Sequence, residues 1–163
     1  MRGLRFPHPD LRTMLEPFRP LIDAARGLDL SDPVAAREEL NRRLDPASEA
    51  GMAVSASLKA LLEAGSIADR GELPVKWGRV AKATPETDDH SIDAVHMTGA
   101  GPSHTHPAGE VNWCIPLEGE PEFESTKNGW CVMAPGSTHV PEVTGGAMLI
   151  VYLIPTGAIE FHA

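Results

Sequence analysis

The chain has 163 residues, 42% of them hydrophobic and 23% charged, with a formal net charge of −9. This suits one globular domain with a sizeable core and excludes wholesale disorder; the scattered Lys and Arg offer no basic face for nucleic acid. No apolar run approaches the roughly 20 residues of a membrane helix, and MRGLRFPHPDLR at the start carries positive charge with no apolar stretch behind it, so a soluble, cytoplasmic protein with no membrane partner is expected.

Residues 1–70 are predicted to form a helical segment packed on a β-barrel of residues 71–163, the two making one compact domain. In LRTMLEPFRPLIDAARG the apolar residues Leu11, Met14, Leu15, Phe18, Leu21 and Ile22 follow three-four spacing. Pro17 and Pro20 predict a helix that starts near Pro20 or is broken there, and Gly27 is its stop. In LSDPVAAREELNRRL, Ser31 or Asp32 can cap a second helix and Pro33 fits its first position. Asp45-Pro46 opens a third through Met52, Leu58, Leu61 and Leu62, and Gly65 ends it.

Near Gly71 the period changes to two. VKWGRVAKA, SIDAVHM, EVNWCIP, EPEFEST, GWCVMA and AMLIVYLIP read as strands divided by Pro, Gly, Asn and Asp. Lys127-Asn128-Gly129 is the clearest hairpin turn. Short strands with regular turns predict an antiparallel sandwich or barrel, and the lack of strand–helix alternation argues against a parallel sheet. Cys114 and Cys131 are expected to be buried free thiols.

The stretch GPSHTHPAGEVNW carries the chemistry. His104 and His106 are two apart and share a face if they lie on a strand. Glu110 can return to the same point after a short bend. Two imidazoles and a carboxylate suit a divalent transition metal with open positions: Zn, Fe, Mn, Ni or Cu. His139, in APGSTHVPEV, adds a third imidazole. His8, His90, His96 and His162 stand outside this pattern.

These stretches resemble the paired motifs of the cupin superfamily. HTHPAGE matches the ligand core of the first, and GWCVMAPGSTH supplies the Gly, Pro, Gly and His of the second in order. There are departures: Thr98 and Leu117 stand where glycines are expected, Pro135 and Gly136 are adjacent, and Val143 replaces a closing Asn. The resemblance implies a mainly β fold, a cupin-type jelly-roll barrel. It implies one divalent transition metal on His104, His106, Glu110 and His139, and it favours a homodimer.

An N-terminal helical segment followed by HTHPAGEVNW and APGSTHVP also resembles the bacterial 4-hydroxylaminobenzoate lyases of nitrobenzoate breakdown. That likeness implies a small aromatic carboxylate substrate, converted to protocatechuate with release of ammonium. Glu122 and Glu124 flank Phe123 and would share a strand face, as candidate acid or base. Trp77, Trp113 and Trp130 are candidates for a ring slot, though core packing alone would also explain them. Arg79 shares parity with Trp77 and could pair with the carboxylate. Fold does not decide function. A dioxygenase or isomerase acting on another small acid, and a non-catalytic metal-dependent sensor, stay open. Oxygen uptake would mark a dioxygenase; a ligand-induced rise in Tm without product would mark the sensor.

Overall fold

The computed structural model describes residues 10–162. Helices α1 (Leu11–Leu15) and α2 (Arg19–Ala25) are joined by a 3-10 turn over Glu16–Phe18. The run therefore begins ahead of both prolines. Pro17 and Pro20 each fall at the start of a short segment, where a missing N–H breaks no hydrogen bond. Helix α3 (Pro33–Arg43) starts as its sequence predicts: Asp32 accepts from the Ala35 N–H at 3.1 Å. Helix α4 (Glu49–Glu63) starts later than Asp45-Pro46. Asp45 instead forms a local turn by accepting from the Ala47 N–H, and the Ser48 hydroxyl caps the helix at the Gly51 N–H.

Nine strands follow among the described residues: β1 (Arg70–Glu72), β2 (Val75–Ala81), β3 (His90–Met97), β4 (His104–His106), β5 (Glu110–Phe123), β6 (Gly129–Met133), β7 (Ser137–His139), β8 (Val143–Pro155) and β9 (Glu160–Phe161). Every pairing is antiparallel. One sheet has the order β1-β2-β3-β8-β5-β6 and the other β7-β4-β9. EVNWCIP and EPEF are one strand, not two. Register shifts near Leu117 and Gly119 bend β5 against β8 and let it continue.

The expected turn at Lys127-Asn128-Gly129 is displaced. Phe123 and Thr126 exchange both backbone hydrogen bonds, at 2.9 and 2.7 Å, around Glu124 and Ser125. Those two residues have φ of 48° and 64°, the left-handed pair of a two-residue hairpin. His90 opens β3, buried, with Nδ1 on the Thr87 carbonyl.

Strand alternation gives the larger sheet two buried faces. Val111, Trp113 and Ile115 of β5 and Leu149, Val151 and Leu153 of β8 pack with Leu15, Phe18, Leu21, Leu40 and Leu58 of the helical segment. The opposite face carries Cys114, Met148, Ile150, Tyr152 and Ile154. Burial on both sides accounts for the unbroken apolar run of β8. Cys114 and Cys131 are buried and unbridged, as expected. No helix among the described residues is long and apolar enough to cross a membrane.

Candidate metal centre and its cavity

The site is assembled from three short pieces of backbone. Strand β4 is the central strand of the smaller sheet, and its pairing with β7 sets His104 opposite His139. Period two turns His106 to the same side as His104. The His106 carbonyl accepts from the Gly109 N–H at 3.1 Å and the Gly136 N–H at 2.7 Å, which ties the two histidine stretches together. Gly109 has φ +86°, and a Cβ there would lie 2.9 Å from the Met133 carbonyl oxygen. Glycine therefore permits the tight return that delivers Glu110 as the first residue of β5. The candidate ligand atoms of His104, His106, Glu110 and His139 all lie within 4.8 Å of one another.

Hydrogen bonding fixes the tautomers of two rings. His104 Nδ1 lies 3.1 Å from the Pro102 carbonyl, and His139 Nδ1 lies 2.7 Å from Glu124 Oε1. Carbonyl and carboxylate oxygens accept, so both Nδ1 atoms carry hydrogen and both Nε2 atoms present lone pairs. Those Nε2 atoms face each other at 3.0 Å. Two lone pairs at that separation repel unless a cation lies between them. Both nitrogens of His106 and Oε1 of Glu110 are buried with no hydrogen-bond partner among the described residues, and each such orphan costs about 1–3 kcal/mol. Glu110 Oε2 accepts from Asn112 Nδ2 at 3.1 Å and lies 3.3 Å from His106 Nε2. The donor set fits a divalent transition metal, and this buried three-histidine, one-glutamate cluster could hold one.

Burial sets the protonation of the metal-free site. It pushes His106 down to about 3, with His104 and His139 adding to the effect. His104 is lowered by burial too. Burial raises the Glu110 carboxyl to about 8, opposed by the hydrogen bond from Asn112. His104 and His106 are thus held neutral and ready to bind, while the carboxyl must lose its proton to do so.

A cavity of about 570 Å³ opens beside this cluster, with Trp77, Arg79, His104, Glu110, Tyr152 and Phe161 in its wall. Trp77 and Arg79 lie on one face of β2, at the rim. Arg70 stacks over the Trp77 ring at 5.6 Å. Arg79 Nε donates to Asp93 Oδ1 at 3.1 Å, and its terminal nitrogens make no hydrogen bond among the described residues.

Two expectations fail. Trp113 is not in the cavity. It points to the helical side, packs edge-to-face on Trp130 at 4.8 Å and donates from Nε1 to Ser55 Oγ. It differs from Glu110 by an odd number of positions, so a regular strand sends the two to opposite faces. Glu122 and Glu124 do not share a face, because β5 ends at Phe123 and the left-handed turn redirects Glu124. Glu122 is turned outward, 3.7 Å from exposed Lys127, whereas Glu124 reaches His139. His8 lies outside the described residues.

Asn112, Asp93, Tyr152 and Phe161 were not singled out in the sequence. Asn112 had a signal, sharing parity with Glu110. Tyr152 is hidden in an apolar run. Phe161 reaches His104, with ring centroids 5.7 Å apart, only because β9 pairs with β4.

The antiparallel barrel and its three-histidine, one-glutamate cluster together define a cupin. The sequence model described as PnbB: 4-hydroxylaminobenzoate lyase matches residues 20–161, and the chain belongs to that family. It is similar to the 4-hydroxylaminobenzoate lyase of Nocardioides sp. (strain LMS-CY), 35% identical over 91 residues that make up 51% of this chain and 54% of that one. It is also similar to the 4-hydroxylaminobenzoate lyase of Pseudomonas putida, 35% identical over 80 residues, 47% of this chain and 46% of that one. The chain thus spans about half the length of the curated relatives it matches. Among solved structures, an RmlC-like cupin protein from Ralstonia eutropha JMP134 is 12% identical with a TM-score of 0.42, covering 56% of this chain and 62% of that chain.

Proposed function

We propose that this protein is a metal-dependent lyase that converts 4-hydroxylaminobenzoate and water to protocatechuate and ammonia. The observation that carries the reading is one cavity with a cationic guanidinium at its rim and two of the four candidate metal ligands, His104 and Glu110, in its wall. Membership in the family supports this choice of substrate. In this reading Arg79 takes the carboxylate with its two terminal nitrogens, while Nε stays on Asp93. The ring lies against Trp77, Val95, Ile154 and Phe161. His104, His106, Glu110 and His139 hold the metal, and a bound divalent ion would supply Lewis acidity toward the oxygen that leaves nitrogen. Glu124 holds the His139 ring in the tautomer that ligation needs, so it is a positioning residue and not the acid or base. The helical segment and the barrel act as one unit, with a small aromatic carboxylate as the partner.

Ammonium release from 4-hydroxylaminobenzoate tests the reading, with matched samples stripped by chelator and reloaded with single metals. Release that vanishes on stripping and returns with one metal is the expected outcome. No release from fully loaded protein would sink the substrate.

A further inference from the structure

Four side chains form a polar row across the cavity face of the larger sheet. Arg79 of β2 is the direct partner of Asp93 of β3, Asp93 of Tyr152 in β8, and Tyr152 of Asn112 in β5. Direct cross-strand partners project from the same face. The row therefore runs from the Arg79–Asp93 ion pair to Asn112, which donates to Glu110. Tyr152 stands between them, one strand spacing of about 4.8 Å from β5 and two from β2.

The Tyr152 hydroxyl is poorly used. The side chain is buried, yet its one hydrogen bond among the described residues is to Met97 Sδ at 3.7 Å. A thioether is a weak acceptor, and a buried tyrosine hydroxyl normally finds a better one. Asp93 and His104, in the same cavity wall, offer acceptor atoms, and Tyr152 brings a hydroxyl donor to it. Burial holds its phenol well above the ordinary tyrosine range, so it stays a donor.

We propose that Tyr152 is a substrate-binding residue whose hydroxyl leaves Met97 and donates to the oxygen-bearing substituent para to the carboxylate held by Arg79. The row acts as a ruler: carboxylate at the β2 end, oxygen substituent in front of β8, metal ligands at the β5 end. This rests on the lyase reading for the orientation of the substrate, but it makes its own claim about binding. The cavity selects a ring that carries a hydrogen-bond acceptor opposite its carboxylate.

The test is calorimetric titration of zinc-loaded wild type, Tyr152→Phe and Met97→Leu with 4-hydroxybenzoate and with benzoate, beside Tm measurements and ammonium release. Wild type is expected to favour 4-hydroxybenzoate about five- to tenfold, the scale of one neutral hydrogen bond. Tyr152→Phe should bind both acids alike at an unchanged Tm, and Met97→Leu should keep the preference. A preference that survives in Tyr152→Phe, is lost in Met97→Leu, or is absent from wild type overturns the proposal. If wild type shows the preference and Tyr152→Phe loses it, but wild type releases no ammonium, the lyase reading fails while Tyr152 keeps its role.

Discussion

The two faces of the six-stranded sheet are built from alternating residues of the same strands, yet they end in opposite conditions. On the helical side, Trp113 and Trp130 fill the space, and both indole N–H groups are satisfied, by Ser55 and by the Leu44 carbonyl. On the cavity side, space is left open and Glu110, Asn112 and His106 keep unpaired polar atoms. On one face the indole donors are paired within the protein; the other holds polar groups poised for something not made of protein. The difference teaches that stability and chemistry are separated here by a single step along a strand.

The separation can be broken by experiment. The largest effect should come from Trp113→Ala, which removes a fully buried indole and is expected to cost about 3–5 kcal/mol in chemical denaturation. Metal affinity of the folded variant should be unchanged; a loss of affinity would show the faces to be coupled. Arg79→Ala on the open face should do the reverse. It is expected to raise KM for 4-hydroxylaminobenzoate about 10- to 100-fold, the scale of a hydrogen-bonded charge, with Tm unaltered. An unchanged KM would remove Arg79 from substrate binding.

Glu124→Gln sharpens the contrast further. It weakens the acceptor that holds His139, and metal affinity should fall about tenfold in competition with a chelating dye. Glu122→Gln, only two positions away but turned to solvent, should change nothing. The smallest signal is a proton count. Glu110 sits at about 8 in the metal-free fold against an ordinary 4.5, so between those values the folded chain holds a proton that the unfolded chain has released. His104 and His106, lowered in the fold but protonated in the unfolded chain below about 6.5, oppose this at lower pH, so metal-free protein should lose stability as pH rises from about 6.5 to 8. Metal loading at pH 7 should release about one proton, measured by calorimetry in buffers of different ionisation enthalpy. His106, neutral down to about 3, adds none. Stability that climbs over that window would contradict the assignment.

How much of this was legible depended on the range of the interaction. The caps at Asp32-Pro33 and the HTHPAGE ligand spacing are local, so neighbouring residues declare them. Parity was also available: Glu110 and Asn112 must share a face, and Trp113 must oppose them. What could not be read was sheet order. Arg79 reaches the site only because β2, β3, β8 and β5 lie side by side, and nothing near Arg79 specifies that sequence of neighbours. Glu124 was hidden differently. A Glu-Ser pair in a left-handed turn runs against local preference, while Asn128-Gly129 nearby advertises a turn it does not make. Such a turn persists only because the strands around it leave no alternative.

The placement of the tryptophans gives the protein its own optical readout. The chain has three. Trp113 and Trp130 sit at the seam between helices and barrel, each bonded to a residue far away in sequence. Their fluorescence should shift to the red as the helices undock, reporting the opening of that seam before or with the barrel. Trp77, at the cavity rim and 46% exposed, emits from a wetter setting and should be quenched when an aromatic acid enters beside it. Excitation of one residue type thus follows unfolding at one face and ligand entry at the other.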